Sequence, residues 1–143
     1  MIPASAFLQG TIRTFDEDVR QTIFRRLNEL AASLESGFGV QTELICDNGA
    51  PACVNDPEVS QALYDASVKV LGEKNVFWLP PQTGGEDFAF FVQEIPGSIM
   101  RVGCTNHEKG LDHPLHSPYY DMDEEALAVG VEVFKQAMRD YLI

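Results

Sequence analysis

Five aliphatic residues, Val19, Ile23, Leu27, Leu30 and Leu34, recur at spacings of three and four and so mark one apolar stripe along a helix. The flanks of that helix constrain the fold more than the stripe does. Upstream, FLQGTIR at 7–13 alternates, with Leu8, Gly10 and Ile12 on one face and Gln9, Thr11 and Arg13 on the other, which is the period of a strand. Downstream, GVQTELIC at 39–46 returns to strand character. Thr14 and Asp16 offer N-caps, and Gly37 suits the left-handed position that closes a helix. Strand, long helix, strand is half of a split βαβ sandwich, whose other half is expected to precede it.

The turn-rich DNGAPACVNDP at 47–57 marks a boundary. Asp56 followed by Pro57 has the order of an N-cap and first helical residue. The helix they open is expected to carry Val59, Leu63, Ala66 and Val70 inward and to close at Gly72. VFWL at 76–79 suits a buried strand, with a parallel sheet as its context. GGEDFAFF at 84–91 reads as a tight loop becoming a short helix through about Val92, with Phe88, Phe90 and Phe91 as core. SIMRVG at 98–103 reads as another strand, and a long loop fills 104–122. Asp121 or Asp123 caps a last helix with the stripe Leu127, Val131, Phe134, Met138 and Leu142. This second part is expected to be α/β.

Charge narrows the function classes. Twenty-two acidic against ten basic residues in 143 give a formal charge of −12, which repels phosphate backbones and anionic lipid, so neither nucleic acid nor a membrane surface is expected as a partner. No segment approaches the ~18 apolar residues of a membrane span, and MIPASAFLQG has no basic start or apolar run of a signal sequence. Cys46, Cys53 and Cys104 are odd in number and form no C-x-x-C pair, which argues against a disulfide framework and for a reducing cytoplasm.

Three regions could carry chemistry. All three histidines, His107, His113 and His116, fall in HEKGLDHPLH with Glu108 and Asp112. The cluster is either a metal site suited to zinc, cobalt or manganese or a solvated loop, since no helix fixes its register. Gly84 and Gly85 leave room for backbone N–H groups to reach a ligand, while Glu86 and Asp87 are expected in the first helical turn, where both can be simple helix-start acids. Arg13, at the end of a strand, is either a ligand contact or a surface ion-pair partner. No nucleophile elbow or phosphate-binding loop occurs.

IPASAFLQGTIRTF, GGEDFAFF and LHSPYYDMDEEAL, in that order and separation, resemble the C-terminal part of the zinc-dependent amidohydrolases that include hippurate hydrolases, N-acyl-amino-acid amidohydrolases and auxin-conjugate hydrolases. The resemblance spans essentially the whole chain. It implies an α/β fold in two parts: residues 1–48 as half of a ferredoxin-like lid and dimerisation domain, and 49–143 as the last part of a zinc-aminopeptidase-like, three-layer α/β/α catalytic domain. Met1 would then stand inside a longer protein. It further implies that His116 is a ligand to one of two divalent metal ions, zinc, cobalt or manganese. Arg13 would grip the substrate's free carboxylate through its bidentate fork. Gly84, Gly85 and Glu86 would line the substrate site, supported by Asp87.

His107 and His113 match no metal position of that family. Glu124 and Glu125 do not occupy its general-base position, so no catalytic residue is assigned. With the general base and most metal ligands upstream, this chain alone is expected to be inactive and to bind metal weakly or not at all. A homodimer through the lid segment is expected. The alternative is a non-catalytic oligomerisation or binding protein that keeps a remnant of the hydrolase fold.

Overall fold

A computed structural model describes residues 3–141. Met1 and Leu142, the residue that completes the expected last stripe, lie outside the described residues. Among the described residues four helices follow in order: α1 (Glu17–Phe38), α2 (Pro57–Leu71), α3 (Ala89–Glu94) and α4 (Glu125–Tyr141), with a 3₁₀ turn at Glu73–Asn75. The described residues form two compact units, one of 3–53 together with 81–91, the other of 54–80 with 92–141. The first therefore reaches past residue 48 and also takes in the GGED loop.

In the first unit, Asp16 caps α1 by accepting from Val19 N at 2.9 Å. The helix ends later than expected: Gly37 is still helical, and Gly39 takes the left-handed conformation, φ 67°, with its N–H on the Glu35 carbonyl. The chain then folds back on the last turn, because Thr42 N and Oγ1 both donate to Glu35 Oε1 at 2.9 Å and hold that carboxyl below its usual range. Arg20 spans Glu17 and the Asn48 carbonyl. No residue of α1 is buried: Ile23 and Leu27 are half-buried, while Val19, Leu30 and Leu34 are exposed.

In the second unit, Asp56 Oδ1 accepts from Glu58 N at 3.0 Å and Val59 N at 2.9 Å, with Pro57 at the first helical position. The core lies between α2 and α4, which pack on one another. Small residues of α2 are the buried ones: Ser60, Ala66 and Ser67. Val59 and Leu63 are half-buried, and Val70, expected inside, is exposed. On α4 the buried residue is Val133, flanked by half-buried Ala126, Val129, Gly130 and Ala137. The expected stripe, Leu127, Val131, Phe134 and Met138, faces out. Both sides of α4 carry apolar residues, and the side with smaller ones allows the close approach to α2. Lys69 Nζ to Asp140 Oδ1, 2.9 Å, ties the two helices together. Tyr64 stacks on Trp78 with ring centroids 5.1 Å apart.

The strands expected at 7–13, 39–46, 76–79 and 98–103 are absent, because among the described residues no β-ladder forms and the sole pairing is an isolated bridge between Asn106 and Leu111. The described residues form helices joined by irregular segments, so the α/β expectation is not confirmed. Alternation sets which side chains share a face, but a strand exists only where a neighbour supplies backbone partners. At 98–103 the segment is engaged by α2 and its cap instead. Gly97 O accepts from Asp56 N at 2.8 Å, Ile99 N donates to Asn55 Oδ1 at 3.1 Å, and Ser98 Oγ meets Ser60 Oγ at 2.8 Å. Residues 97–100 thus run along α2 through its side chains and cap.

Candidate functional site

In the first unit the fold brings together two candidates 72 positions apart. A Cβ at residue 85 would stand 2.5 Å from Arg13 Nη1 and 3.5 Å from its Cζ, so the guanidinium occupies the space that a side chain at Gly85 would fill. Nothing lies within 4 Å of a Cβ at Gly84. Arg13 is exposed and forms no ion pair with a carboxylate among the described residues. A fork left without a carboxylate can take one from a ligand, two parallel N–H groups to two oxygens.

Glu86 and Asp87 precede α3 and do not lie in its first turn. Their carbonyls accept from Ala89 N and Phe90 N, and Glu86 Oε1 accepts from Phe88 N at 3.4 Å, so they shape the approach to the helix. The aromatic run is not core: Ala89 is buried and Phe88 half-buried, but Phe90 and Phe91 are exposed, Phe91 contacting Phe88 at 5.8 Å between centroids. Cys53, which the sequence did not single out, lies within reach of Glu86. Burial, and then the Glu86 charge, push its thiol up, which keeps it protonated and a poor nucleophile.

In the second unit the three histidines go separate ways. His107 Nδ1 pairs with Asp112 Oδ2 at 3.3 Å on an exposed surface. The His113 ring lies tilted on Tyr119 with centroids 5.5 Å apart. His116 is exposed and, among the described residues, is the one non-glycine with positive φ, 73°. Ser117 N donates to the Pro114 carbonyl at 3.0 Å, which makes His116 the third residue of a four-residue turn. A type II turn demands a left-handed residue there and ordinarily uses glycine or asparagine. An imidazole at that position costs of order 1 kcal/mol and is a reason to look for a role in the side chain.

Among the described residues no three of His, Cys, Asp and Glu gather as a metal ion requires. Catalytic zinc usually takes about three protein ligands, so His116 does not make a metal centre by itself. No helix of the described residues is long and apolar enough to cross a membrane.

A cluster at the start of α4 was also not singled out. Asp123 Oδ2 accepts from Asn106 Nδ2 at 2.6 Å, and Lys109 Nζ lies 2.9 and 3.0 Å from the two Asp123 oxygens and 3.2 Å from Glu125 Oε1. The Lys109 ammonium holds Asp123 below the usual aspartate range, helped by Asn106, and is itself raised by Asp123 and then Glu125. Of the two expected caps, Asp123 is the one that meets the helix, accepting from Glu125 N at 3.3 Å.

Residues 8–140 match the model of Peptidase family M20/M25/M40, and the chain belongs to that family. An uncharacterized hydrolase of Staphylococcus aureus (strain N315) is 31% identical over 142 residues, which cover 98% of this chain and 37% of the relative. An uncharacterized hydrolase of Staphylococcus epidermidis is likewise 31% identical, over 141 residues with the same coverage. A crystal structure from methicillin-resistant Staphylococcus aureus, described as a "putative aminohydrolase", matches with a TM-score of 0.72 at 29% identity over 88% of this chain and 32% of the other. The chain therefore spans little more than a third of the length of the curated relatives it matches.

Proposed function

We propose that this chain contributes carboxylate recognition and one metal-ligating imidazole to a metal-dependent amidohydrolase that cleaves the amide bond of N-acyl amino acids such as hippurate. The observation that carries the reading is the seating of the Arg13 guanidinium against Gly85, with no carboxylate of the described residues paired to it. A substrate with a free carboxylate beside its amide supplies the missing partner, and Gly84, with nothing within 4 Å of where a Cβ would stand, leaves room for the rest of it. His116 contributes its ring from a turn whose backbone suits glycine better. The remaining metal ligands and the general base belong, on this reading, to polypeptide beyond these 143 residues.

The test joins residues 1–143 to the part of the staphylococcal relative that lies outside the matched region. Hydrolysis of hippurate by the joined polypeptide is expected with added zinc, cobalt or manganese. A joined, folded polypeptide that cleaves neither hippurate nor other N-acyl amino acids would sink the assignment.

The exposed Val19, Leu30 and Leu34 on α1 support a second part of the reading, a homodimer formed through residues 1–48. Sedimentation velocity is expected to show a dimer that Leu30→Glu dissociates. A clean monomer at high concentration would remove the idea.

A further inference from the structure

The loop that carries His116 is closed at its base. Asp123 N donates to the Cys104 carbonyl at 2.9 Å, and Asn106 and Leu111 exchange both backbone hydrogen bonds, at 2.9 and 2.8 Å, to form a small hairpin inside it. Lys109 stands on that hairpin, its N–H on Asn106 Oδ1 at 3.2 Å, and its ammonium reaches across to Asp123 and Glu125 at the start of α4. The stretch beyond the hairpin is held by short turns: Ser117 N on the Pro114 carbonyl and Tyr120 N on the Ser117 carbonyl, both at 3.0 Å. Cys104 Sγ and Tyr120 Oη add a 3.4 Å contact.

We infer that the Lys109–Asp123 pair is a positioning device for His116, holding the hairpin to the start of α4 so that the Pro114–Ser117 turn keeps His116 in its left-handed conformation. A strained backbone persists where its surroundings over-determine it. Within its turn His116 is fixed by one backbone hydrogen bond, so the constraint comes from the closed ends of the loop. The pair, exposed at Lys109 and half-buried at Asp123, acts on the loop and not through global stability, to which an ion pair open to solvent on one side adds little. Lys109 and Asp123 touch no reacting group, and their role rests on the reading of His116 given above.

The experiment is native-state amide hydrogen exchange on the 143-residue chain. In Lys109→Met the amides of Ser117 and Tyr120 are expected to exchange about tenfold faster, while those of α2 and α4 keep their rates. Lys109→Arg, which preserves the charge, returns both amides to within about twofold of the parent. Asp123→Asn, which removes the charge and keeps an acceptor for Glu125 N, loosens the same two amides. Unchanged exchange at Ser117 and Tyr120 in Lys109→Met overturns the inference. So does acceleration shared equally by α2 and α4, or acceleration that Lys109→Arg leaves uncorrected. Exchange reads the turn and not the metal, so if these rates behave as expected while His116→Ala retains full turnover in the joined enzyme, the clamp stands and the ligand role falls.

Discussion

His116→Ala in the joined enzyme is expected to lower turnover on hippurate by about 10²–10⁴-fold, the effect of withdrawing roughly 3–5 kcal/mol of transition-state stabilisation at a metal-assisted step. His116→Gly should lose as much turnover, yet it should hold thermal stability or raise it by up to about 1 kcal/mol, because glycine accepts the φ of 73° that histidine adopts under strain. Opposite signs for stability and turnover are the signature of a side chain kept for chemistry. Steady-state kinetics and thermal denaturation of the three proteins decide it. Normal turnover in either variant defeats the ligand assignment.

Arg13→Ala is expected to raise KM for hippurate by roughly 10- to 100-fold, since a hydrogen bond to a charged group is worth about 1.5–3 kcal/mol. The methyl ester of hippurate, which lacks the charge, should bind the parent and the variant alike. Gly85→Ala should reproduce part of the loss at small cost to the fold, because the new Cβ meets the end of a flexible side chain and pushes the guanidinium aside. Arg13→Lys keeps the charge without the planar fork and should recover only part of the affinity. Equal losses for hippurate and its methyl ester would show that Arg13 acts by some route other than the carboxylate.

The helices were legible because their signals are local. Asp16 and the pair Asp56 and Pro57 cap the helices they were expected to cap, and Gly72 follows α2 as its spacing requires. The strands were not, since alternation in FLQGTIR or SIMRVG says nothing about whether a neighbouring backbone is there to pair. The face of α4 was misjudged for a related reason: the larger residues, Leu127, Val131, Phe134 and Met138, make the more conspicuous stripe, while Val133 with Ala126, Gly130 and Ala137 permits the closer approach to α2.

At the site, Arg13 and Gly85 were named separately, and their contact across 72 positions was beyond any spacing argument. The turn geometry of His116 had no trace, since Pro114 stands first in the turn and the proline signal belongs to its second position. The Lys109, Asn106 and Asp123 cluster had none, because a lysine and an aspartate fourteen apart on a loop look like solvated charges until the loop closes.

The most direct test of the central claim compares hippurate hydrolysis by residues 1–143 alone with that by the joined polypeptide, each purified and supplied with zinc, cobalt or manganese. The account predicts chelator-sensitive turnover by the joined polypeptide and none by the 143-residue chain, whose described residues gather no three metal-ligating side chains. Metal-dependent turnover by the 143-residue chain alone, abolished by a chelator, would contradict it.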